Sequence, residues 1–343
     1  MPAGTPLHTR NEPACGTLVA AYATPWQEIA PKLGSERAVT SKTKGHRLKK
    51  KNMAAPATAP AATWERWSTH LEMTVTVDLP TTGVSLRLAQ DPNSGNLGLT
   101  VWDASIVLAA WADRNARKGE LSRARLAGKR VVDLGSGAGV AGLALALLGA
   151  DVLLTDVAPV LPLLRTNADV NLGPAARRFL PGGPGSAGSL AVLEYDWLRP
   201  DTWGPVLAGG PADVLLLCDC VYKEAMVAPL LAAVLALCGP GRKTTAVVVN
   251  EFRSASVHAA WSAAFGAHFT WRKVPRARMH PTYQHPNIDI LLLKRRSGVV
   301  VSDGVGCGTG ADGDGAASAA LADLTAAAAA ATLDDITPTA AEP

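Results

Sequence analysis

The sequence has few of the cysteine patterns, long apolar runs and secretory-signal features that would place it in several common classes. Its five cysteines are scattered, at Cys15, Cys218, Cys220, Cys238 and Cys307. They form no Cys-x-x-Cys pair and have no histidine at zinc-ligand spacing, so we expect reduced thiols and no structural metal. The longest apolar stretches, near 141–154 and 225–238, are interrupted or are too short to span a bilayer. The first residues also lack the apolar core of a secretory signal, and we expect a soluble, cytoplasmic protein.

Charge is distributed unevenly along the chain. Residues 1–52 hold nine Lys or Arg and three Asp or Glu, whereas residues 299–343 hold seven acidic residues and no basic one. The chain between them is only mildly basic, which argues against a dedicated nucleic-acid-binding protein. We therefore expect a monomer with a protein or small-molecule partner and with no nucleic acid or membrane partner. A nuclear signal at 47–51 or an organellar presequence stays open, although a solvated tail is the favoured interpretation.

Composition divides the chain into three parts. Residues 1–63 are predicted to be a disordered basic extension and an Ala, Pro and Thr linker, and residues 299–343 a disordered acidic tail rich in Ala and Gly. Met53 offers a second start site, so the preceding residues could be absent from the working protein. Residues 64–298 are predicted to form the folded domain.

The predicted domain opens with a β-hairpin and continues as alternating strands and helices. Runs at 73–78 and 84–89 flank a Leu-Pro-Thr-Thr-Gly turn, and a helix from Asp103, a candidate cap, to about 115 follows. Continuously apolar strands indicate burial on both faces, and hence a parallel sheet with helices on either side. Strands are predicted at 130–134, 151–155, 190–195, 213–218, 244–250, 268–274 and 288–294, and helices at about 139–148, 159–171, 222–237 and 254–266.

A glycine loop headed by an aspartate is the most informative segment. Residues 131–139 pass from an apolar strand through Asp133 into a turn with glycine at alternate positions from Gly135 to Gly139. Glycines let a ligand approach the backbone, and the next helix directs its free N–H groups and dipole at the same point. Asp156 ends the next strand, where a carboxylate can accept both hydroxyls of a ribose. The segment therefore predicts a nucleotide-binding loop.

Two cofactors fit this loop. Gly137, Gly139 and Gly142 also satisfy the G-x-G-x-x-G of dinucleotide binders, so a nicotinamide-dependent dehydrogenase is an alternative. Asp133 favours S-adenosylmethionine, because an acid there can contact the charged amino-acid end of that cofactor but would repel a pyrophosphate. The carboxyl ends of parallel strands meet at one edge of a sheet, which predicts a single crevice. Four strand-end acids are expected to gather there: Asp133, Asp156, Asp196 and Asp219.

Several motifs then occur together between residues 72 and 296. They are Gly-Leu-Thr-Val-Trp-Asp-Ala at 98–104, the glycine loop, Leu-Thr-Asp at 154–156, the Thr-Asn to Asn segment at 166–171, Glu-Tyr-Asp-Trp at 194–197, Asp-Cys-Val-Tyr at 219–222, and two less diagnostic segments at 251–254 and 280–286. Together they resemble methyltransferase family 16, the seven-β-strand protein lysine methyltransferases that include the methyltransferase-like 21 and valosin-containing-protein lysine methyltransferase branch.

The resemblance implies a fold and an activity. The fold is the α/β, Rossmann-like, seven-stranded fold of class I S-adenosylmethionine-dependent methyltransferases, with an N-terminal hairpin. The activity is transfer of a methyl group to the ε-amine of a lysine in a protein substrate. Family members act on chaperones, elongation factors and AAA ATPases, so a protein of one of these classes is the expected partner, and S-adenosylmethionine is the expected cofactor.

The resemblance also implies roles for individual residues. Cofactor contacts are expected from residues spread over the domain: Trp102, Asp133, Gly135, Ser136, Gly137, Gly139, Asp156, Asp196, Trp197 and Cys218. An indole such as Trp197 can stack on adenine, while the acid Asp196 can accept from its amine. Asp219 and Tyr222 are the predicted catalytic pair. Asp219 would orient the lysine amine, and Tyr222 would line its channel one helical turn away.

Simpler interpretations stay open. Asp156 and Asp219 could cap the helices that follow them, and Asp196 could pair with Arg199. For the whole protein, a small-molecule methyltransferase and a non-catalytic interaction module are the alternatives. The chain lacks the N-P-P-Y or D-P-P-Y motif of nucleic-acid amino-methylases and glutamine methylases. Packing is the simpler interpretation for two pairs: Asn167 with Asn171, and Cys218 with Cys220.

Overall fold

The computed structural model describes residues 72–238 and 244–296, together with Thr69. Several expectations lie outside the described residues, among them the basic extension and linker at 1–63 and the acidic tail at 299–343. The predicted bounds of the folded domain therefore stay a prediction. None of the helices in the described ranges is long and apolar enough to cross a membrane.

An antiparallel hairpin comes first in the described part of the chain. β1 (Thr74–Leu79) and β2 (Val84–Ala89) pair along their whole length. Alternate residues of β1 are buried, which is the pattern of a strand with one face on a core. The turn is held from outside, because the Asp113 carboxylate accepts hydrogen bonds from the backbone N–H groups of Thr81 and Thr82, both at 2.8 Å. The predicted hairpin is confirmed.

Seven further strands form the central sheet, and each of the seven predicted strands is confirmed to within one residue at each end. Their order across the sheet is β5-β4-β3-β6-β7-β9-β8. β3 to β7 run parallel, whereas β9 pairs antiparallel with both β7 and β8. The chain adds β4 and β5 on one side of β3, and then β6 and β7 on its other side. This reversal opens a crevice at the carboxyl ends of β3 and β6. The strands are β3 (Arg130–Leu134), β4 (Asp151–Asp156), β5 (Leu190–Glu194), β6 (Val214–Cys218), β7 (Thr245–Glu251), β8 (Phe269–Lys273) and β9 (Ile288–Arg295).

Helices cover both faces of the sheet, as predicted. Successive residues of β3 belong to different cores, since Val131 packs in the core that holds α1, α3 and α4, and Val132 packs in the core that holds α7. The sheet is therefore buried on both sides, which explains why its parallel strands are continuously apolar. The helices are α1 (Asp103–Arg114), α2 (Arg123–Leu126), α3 (Val140–Leu147), α4 (Leu161–Leu172), α5 (Pro174–Arg177), α6 (Gly204–Leu207), α7 (Val227–Cys238) and α8 (Ala255–His268).

The start of α7 corrects the sequence prediction. α7 begins at Val227 after a short 3₁₀ turn at Glu224–Met226, and not near Tyr222. Asp219 has φ of +57°, a left-handed conformation that a right-handed helix does not contain. Asp219 and Tyr222 therefore lie on a non-helical loop. The separation of one helical turn that we expected between them was wrong, and so was the simpler interpretation of Asp219 as a helix cap.

The structure also excludes a candidate helix cap, Asp103, and the alternative interpretation of Asp156 as a helix cap. The N-cap of α1 is Trp102, so Asp103 is the first residue inside the helix. An acidic residue at that position still interacts favourably with the helix dipole. The N-cap of α4 is Val160, which excludes Asp156 as the cap of that helix.

Two asparagines of α4 bind the outer edge of the hairpin. Asn167 accepts from the N–H of Ala89 at 2.8 Å and donates to its carbonyl at 3.0 Å. Asn171, one turn later, makes the same pair of bonds with Arg87, at 2.8 and 2.7 Å. The side-chain amides thus take the place of a third strand and satisfy the exposed edge of β2. The interpretation of these asparagines as packing residues is supported.

Candidate functional site

A cleft of about 690 Å³ lies at the carboxyl ends of the parallel strands, where the strand order reverses. Its volume is in the range of sites that hold cofactor-sized ligands. Nine of the predicted site residues line it: Trp102, Gly135, Gly137, Asp156, Asp196, Trp197, Cys218, Asp219 and Tyr222. The other three, Asp133, Ser136 and Gly139, do not line the cleft. The predicted crevice is present, and three of its four expected acids face it.

The glycine loop forms one wall of the cleft with a conformation that side chains rarely adopt. Gly135, Gly137 and Gly139 have φ angles of +62°, +55° and +90°. A Cβ atom at Gly135 would lie 3.1 Å from the Trp197 ring, and one at Gly137 would lie 3.3 Å from the carbonyl oxygen of Gly98. Gly139 instead serves as the N-cap of α3. The first two glycines therefore keep open a space that side chains would fill.

Asp133 and Ser136 lie beneath the loop and not on the cleft wall where we expected them. Asp133 is 1 % exposed, and its Oδ2 accepts from the N–H of Gly142 at 3.0 Å. Burial raises the pKa of the Asp133 carboxyl to about 7. The Ser136 hydroxyl donates to the Asp133 carbonyl and accepts from the Thr155 N–H, both at 2.9 Å. Because β3 is buried on both faces, these side chains hold the loop from below.

Asp156 ends β4 and faces the same loop. Its Oδ2 accepts from the Gly137 N–H and its Oδ1 from the Val157 N–H, both at 2.8 Å. Burial, with a smaller contribution from the charge of Asp196, raises the pKa of Asp156 to about 6. An ionised carboxylate has further lone pairs with which to accept ribose hydroxyls. The position of Asp156 is compatible with its predicted role.

Trp102 and Trp197 are both among the residues that line the cleft. Trp197 is almost completely buried, at 9 % exposure. The Trp102 indole N–H donates to the carbonyl of Leu97 at 2.8 Å, which fixes the orientation of its ring. Two oriented indoles give the cleft flat apolar surfaces of the kind on which an adenine can stack.

Asp196 lies beside Trp197 and is held by its own loop. Its Oδ1 accepts from the Leu198 N–H at 2.9 Å. Arg199 pairs with Glu194 at 3.3 Å and with Asp201 at 2.8 Å. The alternative in which Asp196 forms an ion pair with Arg199 is therefore not supported, and the Asp196 carboxylate faces the cleft.

At the other end of the cleft, Asp219 is buried and already bound to a cation. Its carboxylate, 4 % exposed, is bound by both terminal nitrogens of Arg253, Nη2 at 2.8 Å and Nη1 at 3.2 Å. Its Oδ1 also accepts from the Glu251 N–H at 2.9 Å. The same Arg253 Nη2 lies 2.7 Å from a Glu251 carboxylate oxygen. The sequence analysis assigned Asp219 to the site but did not anticipate this shared cation.

Tyr222 lines the cleft from a loop that is tied to β7. The Asn250 side chain accepts from the Val221 N–H at 2.9 Å and donates to the Val221 carbonyl at 3.0 Å. Tyr222 therefore extends from a fixed backbone and remains partly exposed at the rim. Partial burial, with smaller contributions from neighbouring acidic groups, raises the pKa of the Tyr222 phenol to about 12, so the hydroxyl is a proton donor at neutral pH.

Arg253 and Asn250 are site residues that the sequence analysis did not identify. Both follow from the position of β7 beside β6, since residues at the ends of adjacent parallel strands meet at the same edge. Their polar character at the end of an apolar strand was the available signal. Cys218 and Cys220 agree with the packing interpretation, because burial raises the pKa of both thiols and neither has metal-ligand neighbours. Within the described ranges, no group of three or more potential ligands could hold a metal ion.

The residues present fit S-adenosylmethionine. The glycine loop leaves a space beside it that Cβ atoms at Gly135 and Gly137 would fill. Asp156 places a carboxylate where the resemblance implies that a ribose binds. Trp197 supplies an aromatic face, and Asp219 and Tyr222 line the same cleft. Sheet order and cleft together define a Rossmann-like methyltransferase of the seven-stranded class.

Comparison with known proteins gives the family. A model of the lysine methyltransferase family matches residues 81–259. The match includes every described residue that lines the cleft, from Ser94 to Arg253. The chain belongs to the lysine methyltransferase family, as the resemblance implied, and the cofactor of that family is S-adenosylmethionine.

Individual relatives match over part of their length. The chain is 34 % identical over 149 residues to protein N-lysine methyltransferase METTL21A of Danio rerio, covering 43 % of this chain and 58 % of that protein. It is 30 % identical over 160 residues to EEF1A lysine methyltransferase 3 of Mus musculus, covering 46 % and 59 %. It is 30 % identical over 215 residues to protein-lysine N-methyltransferase EEF2KMT of Mus musculus, covering 60 % and 61 %. The chain thus spans about three fifths of the length of these curated relatives.

Proposed function

We propose that this protein is an S-adenosylmethionine-dependent protein-lysine N-methyltransferase. The observation that carries the proposal is one cleft that is lined both by the glycine loop, at Gly135 and Gly137, and by Asp219 and Tyr222. We call the part at the glycine loop and Trp102 the cofactor end, and the part at Asp219 and Tyr222 the acceptor end. Membership of the lysine methyltransferase family supports the same activity. When bound, S-adenosylmethionine supplies an activated methyl group, so the protein's own residues mainly bind and orient.

The cleft has the charge that a lysine needs. It is lined by three acidic residues, Asp156, Asp196 and Asp219, and by two basic ones, Lys223 and Arg253, which leaves one acidic residue in excess for an incoming ammonium. The amine must lose its proton to solvent before its nitrogen forms a bond to the methyl carbon, and desolvation in the cleft lowers the lysine pKa toward neutrality. As that bond formed, the bond between the methyl carbon and the cofactor sulfur would break, and its electron pair would stay on the sulfur. We propose that Asp219 orients this amine and that Tyr222 lines the channel through which it enters.

The substrate is proposed from chemistry and from the relatives. A protein lysine is the proposed acceptor, and two of the relatives carry the names EEF1A lysine methyltransferase 3 and protein-lysine N-methyltransferase EEF2KMT. An elongation factor is therefore a first substrate to test, with chaperones and AAA ATPases as the other classes. We also propose that the protein acts in the cytoplasm as a monomer without a nucleic-acid partner. Light scattering of the purified protein and fractionation of cells address these two points.

A labelling experiment tests the proposed function. The purified protein is incubated with a radiolabelled methyl donor and a cell lysate, and the labelled peptide is identified by mass spectrometry. We expect label on a lysine side chain of a protein. Label on a small molecule or a nucleic acid, or no label at all, would contradict the proposal. Calorimetry with S-adenosylmethionine and with NADH provides an independent check, and only the former is expected to bind.

The Asp219→Asn variant links the activity to this site. Asparagine tolerates the left-handed backbone at this position and is nearly isosteric, so the fold is expected to persist. The variant removes the negative charge that orients the amine, and methyl transfer is expected to fall about a hundredfold or more while cofactor affinity changes little. Unchanged turnover in Asp219→Asn would reject the catalytic assignment.

A further inference from the structure

Arg253 joins the two ends of the cleft. Its guanidinium binds the Asp219 carboxylate through two nitrogens, at 2.8 and 3.2 Å, and lies 2.7 Å from Glu251. Its Cζ also lies 5.2 Å from the centroid of the Trp102 ring. The first contacts belong to the acceptor end and the last one to the cofactor end. Both the carboxylate and the indole line the same cleft as the arginine itself.

The geometry requires an arginine in particular. A planar guanidinium can bind one carboxylate with two parallel bonds while it also lies over an aromatic ring, whereas a lysine ammonium is a point charge that cannot make the paired contact. The Arg253 side chain is one-third exposed, at 33 %, so it faces the cleft solvent and is not sealed in the core. Its position therefore suits a group that orients other site residues.

Asp219 depends on this arginine for its orientation. The Asp219 backbone has a left-handed φ of +57°, which non-glycine residues adopt uncommonly and aspartate and asparagine most readily. The bonds from Arg253 and from the Glu251 N–H fix the plane of the carboxylate across β6 and β7. Without the cation, Asp219 and Glu251 would face each other as two negative charges and would move apart.

We infer that Arg253 is a positioning residue for the proposed methyl transfer, holding the Asp219 carboxylate in the orientation that receives the substrate amine. The inference rests on the proposed function and adds a residue with a stated role to it. Arg253 acts through Asp219 and does not itself contact the reacting atoms. Because the Trp102 indole is held independently by Leu97, loss of Arg253 should disturb the acceptor end more than the cofactor end.

Two variants test this role. Arg253→Lys keeps the charge but loses the bidentate contact, and we expect kcat to fall about tenfold to a hundredfold, the effect of losing charge-assisted hydrogen bonds. The dissociation constant of S-adenosylmethionine should stay within about threefold of the wild type. The matched control is Arg272→Lys, which alters an exposed ion pair with Glu120 outside the cleft. That variant should retain wild-type kcat and KM.

Chemical rescue separates positioning from a merely structural role. In Arg253→Ala, millimolar guanidinium, well below denaturing concentrations, should restore part of kcat by occupying the vacated position between Asp219 and Trp102. Urea, which has nearly the same shape but no charge, should not. Rescue by guanidinium alone supports the inference.

The failures of the two hypotheses can be told apart. A wild-type protein that methylates no lysine would overturn the proposed function and this inference with it. An active wild type together with Arg253→Lys at wild-type kcat would overturn the inference alone. Parallel losses of kcat, cofactor affinity and melting temperature in both Arg253 variants, without rescue, would show that the arginine only supports the fold.

Discussion

At the scale of single residues, Asp133 shows how a motif residue can act without touching a ligand. The sequence places it at the head of the glycine loop, where we expected contact with the cofactor. The structure buries it completely and binds it to the first turn of α3 through the Gly142 N–H. Its second oxygen, Oδ1, has no hydrogen-bond partner within the described residues. A buried carboxylate with one free oxygen is more stable when protonated.

Asp133 therefore predicts a pH dependence of stability. Its folded pKa of about 7 lies above its ordinary value of 3.8, so protonation favours the folded state, and this contribution is lost as the pH rises from about 4 to about 7. In Asp133→Asn the group cannot ionise. We expect the melting temperature of the variant minus that of the wild type to increase from about pH 4 to about pH 7. Above pH 7 this difference should stay constant. Thermal melts of both proteins from pH 4 to pH 8 measure the difference.

The control for this prediction is an aspartate outside the core. Asp151 is exposed at the start of β4, and bonds from Ser189 lower its pKa. Its pKa therefore lies below the interval, and Asp151→Asn should show no such change between pH 4 and pH 7. A constant offset between Asp133→Asn and the wild type at every pH would mean that Asp133 is ionised throughout.

At the scale of secondary-structure elements, the hairpin is joined to the domain by side chains where strand pairing is absent. Asn167 and Asn171 occupy successive turns of α4 and bind alternate residues of β2, because the rise of one helical turn is close to the span of two strand residues. The sequence shows the spacing of the asparagines but not their partners, which lie 78 and 84 residues earlier.

Removal of Asn167 should loosen the hairpin. Asn167→Ala leaves the N–H and carbonyl of Ala89 and the carbonyl of Ala138 without their bonds in a buried environment. We expect a loss of about 3 kcal/mol in the free energy of unfolding, with faster hydrogen exchange at Ala89 than elsewhere in the sheet. Urea denaturation and exchange measured by mass spectrometry provide the two readouts.

Thr166→Ala is the matched control on the same helix. The Thr166 hydroxyl is bonded only locally, to the Pro162 carbonyl, at an exposed position. Its loss should change stability by less than about 0.5 kcal/mol and leave exchange in the hairpin unaltered. Equal effects of the two substitutions would argue against the anchoring role of Asn167.

At the scale of the whole molecule, the sequence predicted the sheet better than the site. The strands were recognised because both faces of the sheet are buried, so the apolar pattern extends over each strand. The start of α7 was missed because the left-handed backbone at Asp219 is stabilised by Glu251, the last residue of β7, and by Arg253, just after that strand. The motifs predicted that Gly135 and Trp197 line the cleft. The bonds from Arg253 and from the Glu251 N–H to Asp219 were not predicted, because they are tertiary contacts that no local pattern contains.

The final prediction concerns how much of the chain the cleft needs. Among the described residues, all those that line it lie between Ser94 and Arg253, and the last described strand of the sheet ends at Arg295. A chain reduced to residues 64–298 retains all of these lining residues, so we expect it to keep the site intact. It should bind S-adenosylmethionine within about threefold of the affinity of the 343-residue chain, measured by calorimetry. It should also transfer methyl groups to the same lysine. Loss of cofactor binding on truncation would show that the basic or the acidic flank contributes to the site, and separate removal of residues 1–63 and 299–343 would identify which.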